Sequence, residues 1–323
     1  MARGWMMLAM TVTVAVVQAS AVPFDLDASL QRVEHWLSEA ARQGAQVVVF
    51  GETWLTAYPA WIDHWPRLGL WDDPEVKAIH ARFRQSSISV PGPHCDALGQ
   101  MAAEHGVTLV MGINERVEQG PGHGTLFNSI IGFDATGQRV LHHRKLVPTH
   151  TERLVWGPGD AHGLRVAQTE AARVGSLVCW EHWMPLARQA LHEQAEQIHV
   201  ALWPTVKPMA AIASRHYAFE GRCFVLAAGG LMHRDTLPPS LADALEGVAE
   251  DGWLMRGGSC IVGPDGEYVV EPVSLREQIL LAELDLSRID EEAMALDVSG
   301  HYARPDLLRL SVSPGPPRNR ESP

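Results

Sequence analysis

The sequence of 323 residues is poor in cysteine and in basic residues. Its cysteines lie far apart and form no C-x-x-C pair, so neither a zinc knuckle nor a disulfide framework is indicated. Acidic residues outnumber basic ones, 38 to 26, which argues against a nucleic-acid partner because such binding depends on clustered Lys and Arg. No apolar run is long and charge-free enough for a convincing membrane span. We therefore expect a cytoplasmic protein that binds neither nucleic acid nor membrane.

Linker sequences are also missing. No Ser/Gly-rich stretch or sustained charge run divides the chain, and a hydrophobic content of 46% is enough for a large core. We expect a single domain over residues 1–323 with its core at about residues 11–304. The Pro-rich tail, residues 305–323, is predicted to be loose.

The N-terminal residues allow two interpretations. A basic residue, an apolar run and the sequence A-S-A resemble a secretory signal. The stretch T-V-T-V-A-V-V-Q, residues 11–18, is β-branched and would serve equally well as a buried first strand. We favour the strand, because cleavage near Ala21 would delete the first strand of a β-α-β unit. The N-terminus is therefore expected to stay attached.

Strands and helices alternate along the chain. After the first strand, Leu30, Val33, Leu37 and Ala40 have helical spacing and Gly44 follows as a helix stop. Further apolar strands are V-T-L-V-M-G-I, R-V-G-S-L-V, H-V-A-L-W and C-F-V-L-A-A, with hairpins at D-A-T-G and P-D-G. This pattern predicts an α/β protein whose sheets are covered by helices.

Three strands end in chemically reactive side chains. Glu52 follows Q-V-V-V-F, Lys145 follows V-L-H-H-R, and Cys179 ends S-L-V-C. In α/β folds ligands bind at the carboxyl ends of strands. A thiol, a carboxylate and an amine are the nucleophile, base and stabilising cation that attack on an electrophilic carbon requires. The base is needed because a free thiol has a pKa of about 8.5 and is mostly protonated at neutral pH.

Each of these residue types is also common without any catalytic role. A cysteine is most often a small core residue, a glutamate after a strand a solvated or capping residue, and a lysine a surface charge. From the residues alone, Cys179 is either a core thiol or a nucleophile. His142 and His143 are predicted at the surface and form no metal-binding pattern. Core packing is predicted for the remaining cysteines, Cys95, Cys223 and Cys260.

Three separated segments decide between these interpretations. F-G-E-T-W-L-T-A-Y-P, H-R-K-L-V-P-T-H-T-E-R-L-V-W-G-P-G-D and L-V-C-W-E-H-W-M-P-L resemble the signature blocks of the nitrilase branch of the carbon–nitrogen hydrolase superfamily, in the family's order. The similarity continues through G-G-S-C-I-V-G-P-D-G and V-S-G-H-Y-A-R-P-D. It implies an α-β-β-α sandwich, in which two sheets pack face to face with helices on the outer faces.

The resemblance also implies roles for four residues. Glu52 would act as general base and acid, Lys145 would stabilise the intermediate, and Cys179 would be the nucleophile. Glu152 matches a second glutamate that holds the lysine. The implied reaction converts a nitrile to a carboxylic acid and ammonia without a metal or organic cofactor.

The substrate contacts are less specific. C-W-E after the strand is typical of relatives that take nitriles. Trp54, Tyr58 and Trp61 would suit an apolar group on the nitrile, Trp180 would offer its backbone N–H to the developing negative charge, and Glu181 is a further candidate contact.

Two alternatives stay open at this point. An amidase or carbamoylase of the same superfamily would share Glu52, Lys145 and Cys179, and a non-catalytic binding protein would share the fold. The resemblance further implies a homodimer that extends to a larger homo-oligomer or spiral, with a small-molecule nitrile as the other partner.

Overall fold

The computed structural model describes residues 11–313, which form strands, α-helices and short 3-10 helices. The strands are β1 (Thr11–Gln18), β2 (Val47–Phe50), β3 (Thr108–Arg116), β4 (Leu126–Phe133), β5 (Arg139–Arg144), β6 (Ala167–Gln168), β7 (Arg173–Val178), β8 (Ile198–Trp203), β9 (Phe224–Gly229), β10 (Leu231–His233), β11 (Trp253–Val262), β12 (Tyr268–Ser274) and β13 (Gln278–Asp285). The α-helices are α1 (Leu26–Arg42), α2 (Pro74–Gln85), α3 (Pro93–His105), α4 (Pro185–His192), α5 (Pro208–Gly221), α6 (Pro239–Asp243) and α7 (Ser287–Ala293).

The strands form two mixed sheets. Sheet 1 has the order β13-β1-β2-β3-β4-β5, and sheet 2 has the order β10-β11-β9-β8-β7-β6 with β12 paired to β11. One apolar cluster joins the inner faces of both sheets, as Val14 and Val110 of sheet 1 share it with Val200 of sheet 2. The same cluster includes buried residues of α4 and α5, while α1 and α3 cover the other face of sheet 1. The predicted α-β-β-α sandwich is therefore confirmed.

Strand β1 shows how the sequence pattern creates these layers. Side chains alternate across a strand, so Val14 and Val16 face the cluster between the sheets while Ala15 and Val17 join the cluster with α1. The strand pairs with β13 on one side and β2 on the other. The prediction of a buried strand at residues 11–18 is confirmed, whereas residues 1–10 lie outside the described part of the chain.

Most of the predicted elements are present. The helix over Leu30–Ala40 is part of α1 and is followed by Gly44 in the left-handed conformation, and both hairpins form, between β4 and β5 and between β11 and β12. Helices α2 and α6 were not predicted. No helix within residues 11–313 is long and apolar enough to cross a membrane. Of the predicted loose tail, residues 305–313 form neither helix nor strand, and residues 314–323 lie outside the described part.

Strand directions bring three polar strand ends of sheet 1 to one edge. β2 and β3 are parallel, whereas β4 is antiparallel to β3 and to β5. The carboxyl ends of β2 and β5 therefore lie at the same edge as the start of β4. A glycine makes room there, because a Cβ at Gly112 of β3 would lie 2.2 Å from the backbone nitrogen of Thr53. The turn after β2 can thus pack directly on β3.

Candidate active site

A cavity of about 780 Å³ opens where the ends of the two sheets meet. Cys179 lies in its wall at the end of β7 from sheet 2, beside Glu152 and Tyr58 from segments that follow strands of sheet 1. Acceptor or sulfur atoms of Glu52, Glu152 and Cys179 all lie within 4.8 Å of one another. The sandwich therefore assembles one reactive cluster from segments that are far apart in the sequence.

Cys179 is the first residue after β7 and begins the 3-10 helix Cys179–Trp183. Its φ of +51° is left-handed, a conformation that costs a non-glycine residue about 1–3 kcal/mol and is concentrated at functional sites. Burial raises the pKa of its thiol well above the ordinary value, and Glu52 raises it further, against the opposing effect of Lys145 and of the backbone N–H of Trp180. At neutral pH the sulfur is therefore protonated, and its activation requires a base.

Lys145 follows β5 and connects two carboxylates. Its Nζ lies 2.6 Å from Oε2 of Glu152 and 3.3 Å from Oε1 of Glu52. Burial disfavours the charged amine, but the neighbouring acidic groups of Glu52, Cys179 and Glu152 raise its pKa above the ordinary range. Lys145 is therefore an ammonium held inside the protein by its neighbours.

Glu152 is held from three sides. It lies in the 3-10 helix His150–Leu154, where Oε2 accepts a hydrogen bond from the backbone N–H of Thr149 at 2.7 Å. Oε1 accepts one from the hydroxyl of Tyr58 at 2.9 Å, and Oε2 also accepts the bond from Lys145. These donors leave the carboxylate little freedom to rotate. Glu152 thereby fixes the position of the ammonium.

Glu52 has a different environment from Glu152. Its Oε1 accepts a hydrogen bond of 2.6 Å from Nδ2 of Asn128 in β4, and its Oε2 is buried without a hydrogen-bond partner among residues 11–313. Burial raises the pKa of Glu52 from 4.5 to about 7, with Glu152 also raising it and Lys145 and Asn128 lowering it. Near neutral pH both forms of Glu52 are populated, which suits a group that accepts and then returns a proton.

Within residues 11–313, the side chains of Glu52, Glu152 and Cys179 are the group that most resembles a set of metal ligands, because their ligand atoms lie close together. The ammonium of Lys145 lies among these groups and compensates the carboxylate charge that a metal ion would otherwise compensate. The chemistry of the cluster is therefore that of a lysine-centred acid–base site.

The aromatic residues predicted to contact the substrate fall into two groups. Tyr58 and Trp180 line the cavity. Trp54 does not, because its ring packs on Phe50 in the core and its Nε1 donates to the carbonyl of Ala19 at 2.8 Å. The interpretation of Trp54 as a substrate contact is corrected to core packing. Trp61 lines a separate pocket.

Glu181 and the histidine pair also differ from the prediction. Glu181 is buried and absent from the cavity wall, with His143 beside its carboxylate, so its interpretation as a substrate contact is wrong. His143 is fully buried, and the partly buried His142 lies 2.9 Å from Glu115. The two histidines are therefore not surface residues. Neighbouring carboxylates bind them inside the sheet.

Asn128 is a residue of this site that was not predicted from the sequence. It belongs to β4, which was predicted only as one arm of the hairpin at D-A-T-G, and its contact with Glu52 joins residues 76 positions apart. The other cysteines agree with the prediction of core packing, since Cys95, Cys223 and Cys260 are free and buried.

Comparisons with known proteins show the family of this chain. The model of the carbon–nitrogen hydrolase family matches residues 13–293. The chain belongs to the carbon–nitrogen hydrolase family. It is 39% identical over 304 residues to "Nitrilase 2" from an unknown prokaryotic organism, covering 93% of this chain and 92% of the relative.

A plant relative and a solved structure extend the comparison. The chain is 36% identical over 310 residues to "Bifunctional nitrilase/nitrile hydratase NIT4A" from Lupinus angustifolius, covering 95% of this chain and 87% of that relative. A crystal structure of a carbon–nitrogen hydrolase from Helicobacter pylori G27 superposes with a TM-score of 0.67 at 19% identity, covering 88% of this chain and 93% of that one. At 19% identity, the similarity to the Helicobacter pylori structure concerns the fold alone.

The raised pKa of Glu52 predicts a pH-dependent stability difference. The pKa of Glu52 is about 7 in the folded protein and 4.5 ordinarily. Burial of Glu52 therefore costs little at low pH, where the carboxyl is protonated, and destabilises the folded protein increasingly as the pH rises from 4.5 towards 7. Glu52→Gln removes this effect. Its free energy of unfolding relative to wild type should rise by about 3 kcal/mol between pH 4.5 and pH 8, measured by urea unfolding. The exposed carboxylate of Glu246 serves as the control, as Glu246→Gln should show no such change. A pH-independent difference for Glu52→Gln would contradict the assignment.

Proposed function

We propose that this protein is a nitrilase that hydrolyses an organic nitrile to the carboxylic acid and ammonia through covalent intermediates on Cys179. The observation that carries the proposal is the buried cluster in which Glu52 and Glu152 flank the ammonium of Lys145 beside the thiol. Membership of the carbon–nitrogen hydrolase family and the names of the relatives support nitriles as substrates, with amides or carbamoyl compounds as the alternative.

In the first half of the proposed reaction the thiol adds to the nitrile. Glu52 accepts the proton of Cys179, the sulfur bonds to the nitrile carbon, and one C–N π bond breaks as its electron pair moves to nitrogen. Glu52 then returns the proton to that nitrogen and a thioimidate results. The backbone N–H of Trp180 and the ammonium of Lys145 both favour negative charge at the sulfur of Cys179, and in this proposal they also stabilise the negative charge that develops on the adjacent nitrogen.

In the second half two water molecules complete the hydrolysis. The first adds to the thioimidate carbon with Glu52 as base and gives a tetrahedral intermediate that carries oxygen, nitrogen and sulfur. Glu52 passes the proton of this water to the nitrogen, then takes the proton of the new hydroxyl group and donates it to the same nitrogen, which leaves as ammonia while the C=O of a thioester forms. The second water attacks the thioester and releases the acid and the free thiol. The sum is one nitrile and two waters to one carboxylic acid and one ammonia.

The cavity favours a nitrile with an apolar group. Indole rings of Trp180, Trp183 and Trp203 line it together with Leu254 and Met255. Binding sites for small molecules are usually lined by such side chains, with a few polar groups that orient the ligand. Its volume of about 780 Å³ exceeds what a short aliphatic nitrile would fill. We therefore propose aryl or arylaliphatic nitriles as better substrates than short aliphatic ones.

The product distribution tests the proposed function. Protonation of the departing nitrogen by Glu52 predicts acid and ammonia as main products and amide as a minor one. The measurement is chromatography of acid and amide with an ammonia assay over a nitrile panel. Mass spectrometry of a rapidly quenched reaction should find an acyl group on the peptide with Cys179. Cys179→Ala should abolish turnover, and Cys260→Ala serves as a control for a buried thiol away from the cavity.

Two outcomes would contradict this reaction. One is amide as the main product, a relevant possibility because the lupin relative is named a bifunctional nitrilase/nitrile hydratase. The other is an acyl adduct on Cys95, Cys223 or Cys260 in place of Cys179. Hydrolysis of amides without any turnover of nitriles would instead support the amidase alternative.

We also propose a homodimer that extends to larger homo-oligomers. The support is a set of exposed apolar side chains on helices α4 and α5, namely Leu186, Met209, Ile212 and Phe219, of which Met209 also lines the cavity. Exposed apolar patches of this kind often mark protein interfaces. Because the two sheets supply one site together, we further propose one domain for the whole chain. Four free cysteines support a cytoplasmic location.

The assembly proposal predicts at least a dimer in light scattering of the active protein. Ile212→Arg places a charge in the proposed interface and should shift the mass towards one chain. Leu307→Arg introduces the same charge at another exposed apolar residue and should leave the mass unchanged. The mass of a single chain for active wild-type protein would contradict the proposal.

A further inference from the structure

A buried carboxylate outside the cavity connects the two strand ends that carry Lys145 and Cys179. Oε2 of Glu181 accepts a hydrogen bond of 2.7 Å from the backbone N–H of Val178, the residue before Cys179. Oε1 accepts one of 2.7 Å from the backbone N–H of Leu146, the residue after Lys145. One side chain thus contacts the immediate neighbours of both reactive residues.

These two neighbours belong to different sheets. Val178 ends β7 of sheet 2, and Leu146 follows β5 of sheet 1. Strands of different sheets share no ladder of backbone hydrogen bonds, so their relative position depends on side-chain packing and on bridging groups of this kind. Glu181 therefore constrains the separation between the sulfur of Cys179 and the ammonium of Lys145.

A third donor fixes the orientation of the carboxylate. Nε2 of His143 lies 3.0 Å from each oxygen of Glu181, and because it faces a carboxylate it carries the proton. His143 is two residues before Lys145 on β5 and is fully buried. Although burial alone would favour the protonated acid, His143 and the N–H groups of Leu146 and Val178 hold the pKa of Glu181 below its usual range. The bridge is thus an ionised carboxylate with every contact a charge-assisted hydrogen bond.

We propose that Glu181 is a positioning residue that sets the register between the nucleophile Cys179 and the cation Lys145 across the two sheets. It acts through Val178 and Leu146 and does not touch the substrate. The inference rests on the proposed function for the identity of the reaction. The proposed geometric effect on the thiol can be measured without any nitrile.

Glu115 provides a matched comparison. It is also a buried and ionised carboxylate near β5, and burial is outweighed by His142 and Arg144, which lower its pKa. Its partners Ser129, His142 and Arg144, however, all belong to sheet 1. Loss of its charge removes a buried ion pair without removing a bridge between the sheets.

The test compares Glu181→Gln with Glu115→Gln. A glutamine has one acceptor oxygen and an NH₂ group, so it can accept from only one of the two backbone N–H groups and opposes the other. We expect Glu181→Gln to lower kcat by about 100-fold with KM within about threefold, because displacements near 1 Å have effects of this size. Alkylation of Cys179 by iodoacetamide should slow at least about tenfold. Glu115→Gln should lower the melting temperature comparably while kcat and alkylation per folded molecule stay within about threefold.

Two results for Glu181→Gln would overturn the proposal. A lower melting temperature with wild-type kcat and wild-type alkylation would mean a purely structural role. A higher KM with unchanged kcat would mean substrate binding. If wild type hydrolyses no nitrile, the alkylation rates of both variants still decide the proposal independently of the reaction.

A second pair of variants applies if Glu181→Gln does not fold. His143→Leu removes the donor that orients the carboxylate, whereas the amide nitrogen of glutamine in His143→Gln can replace Nε2 as a donor. Alkylation of Cys179 should slow about tenfold in His143→Leu and recover to within about threefold of wild type in His143→Gln. Equal alkylation rates in wild type and His143→Leu would overturn the proposal.

Discussion

The ammonium of Lys145 between two buried carboxylates is the interaction on which this site depends. An isolated ion in the interior of a protein is unfavourable, and a buried charge persists only where partners compensate it. Glu152 is the closer partner at 2.6 Å and Glu52 the more distant at 3.3 Å. This asymmetry separates their roles, because Glu152 is tied to the lysine and two further donors, while Glu52 keeps one oxygen without a partner among the described residues.

The rest of the fold brings these charges to the thiol. Strand directions in sheet 1 place Glu52, Asn128 and Lys145 at one edge, and the packing of sheet 2 places Cys179 opposite. The left-handed backbone at Cys179 turns the chain into the next helix directly after the strand. In the proposed mechanism, Glu52 moves a proton between the sulfur and the nitrogen, while Lys145 stays positively charged throughout.

The sequence predicted the residues at strand ends better than the contacts behind them. Glu52, Lys145 and Cys179 follow predicted strands, and the like-directed strands β2 and β5 bring Glu52 and Lys145 to one edge of sheet 1. Cys179 reaches them from sheet 2 through the packing of the two sheets. Asn128 and the bridging position of Glu181 depend on which strands of two sheets become neighbours, which a local pattern does not specify. Trp54 was assigned wrongly for a related reason. It is two residues from Glu52 in the chain, but the turn after β2 directs its ring into the core.

The most direct measurement is the pH dependence of Cys179 alkylation, followed by peptide mass spectrometry in wild type and in Glu52→Gln. If Glu52 is the base for the thiol, the wild-type alkylation rate should follow the deprotonation of Glu52. The rate should rise about tenfold per pH unit below pH 7 and level off above the Glu52 pKa of about 7. The variant should react far more slowly and show no inflection near pH 7. A single inflection near the ordinary thiol pKa of about 8.5, identical in both proteins, would contradict the account.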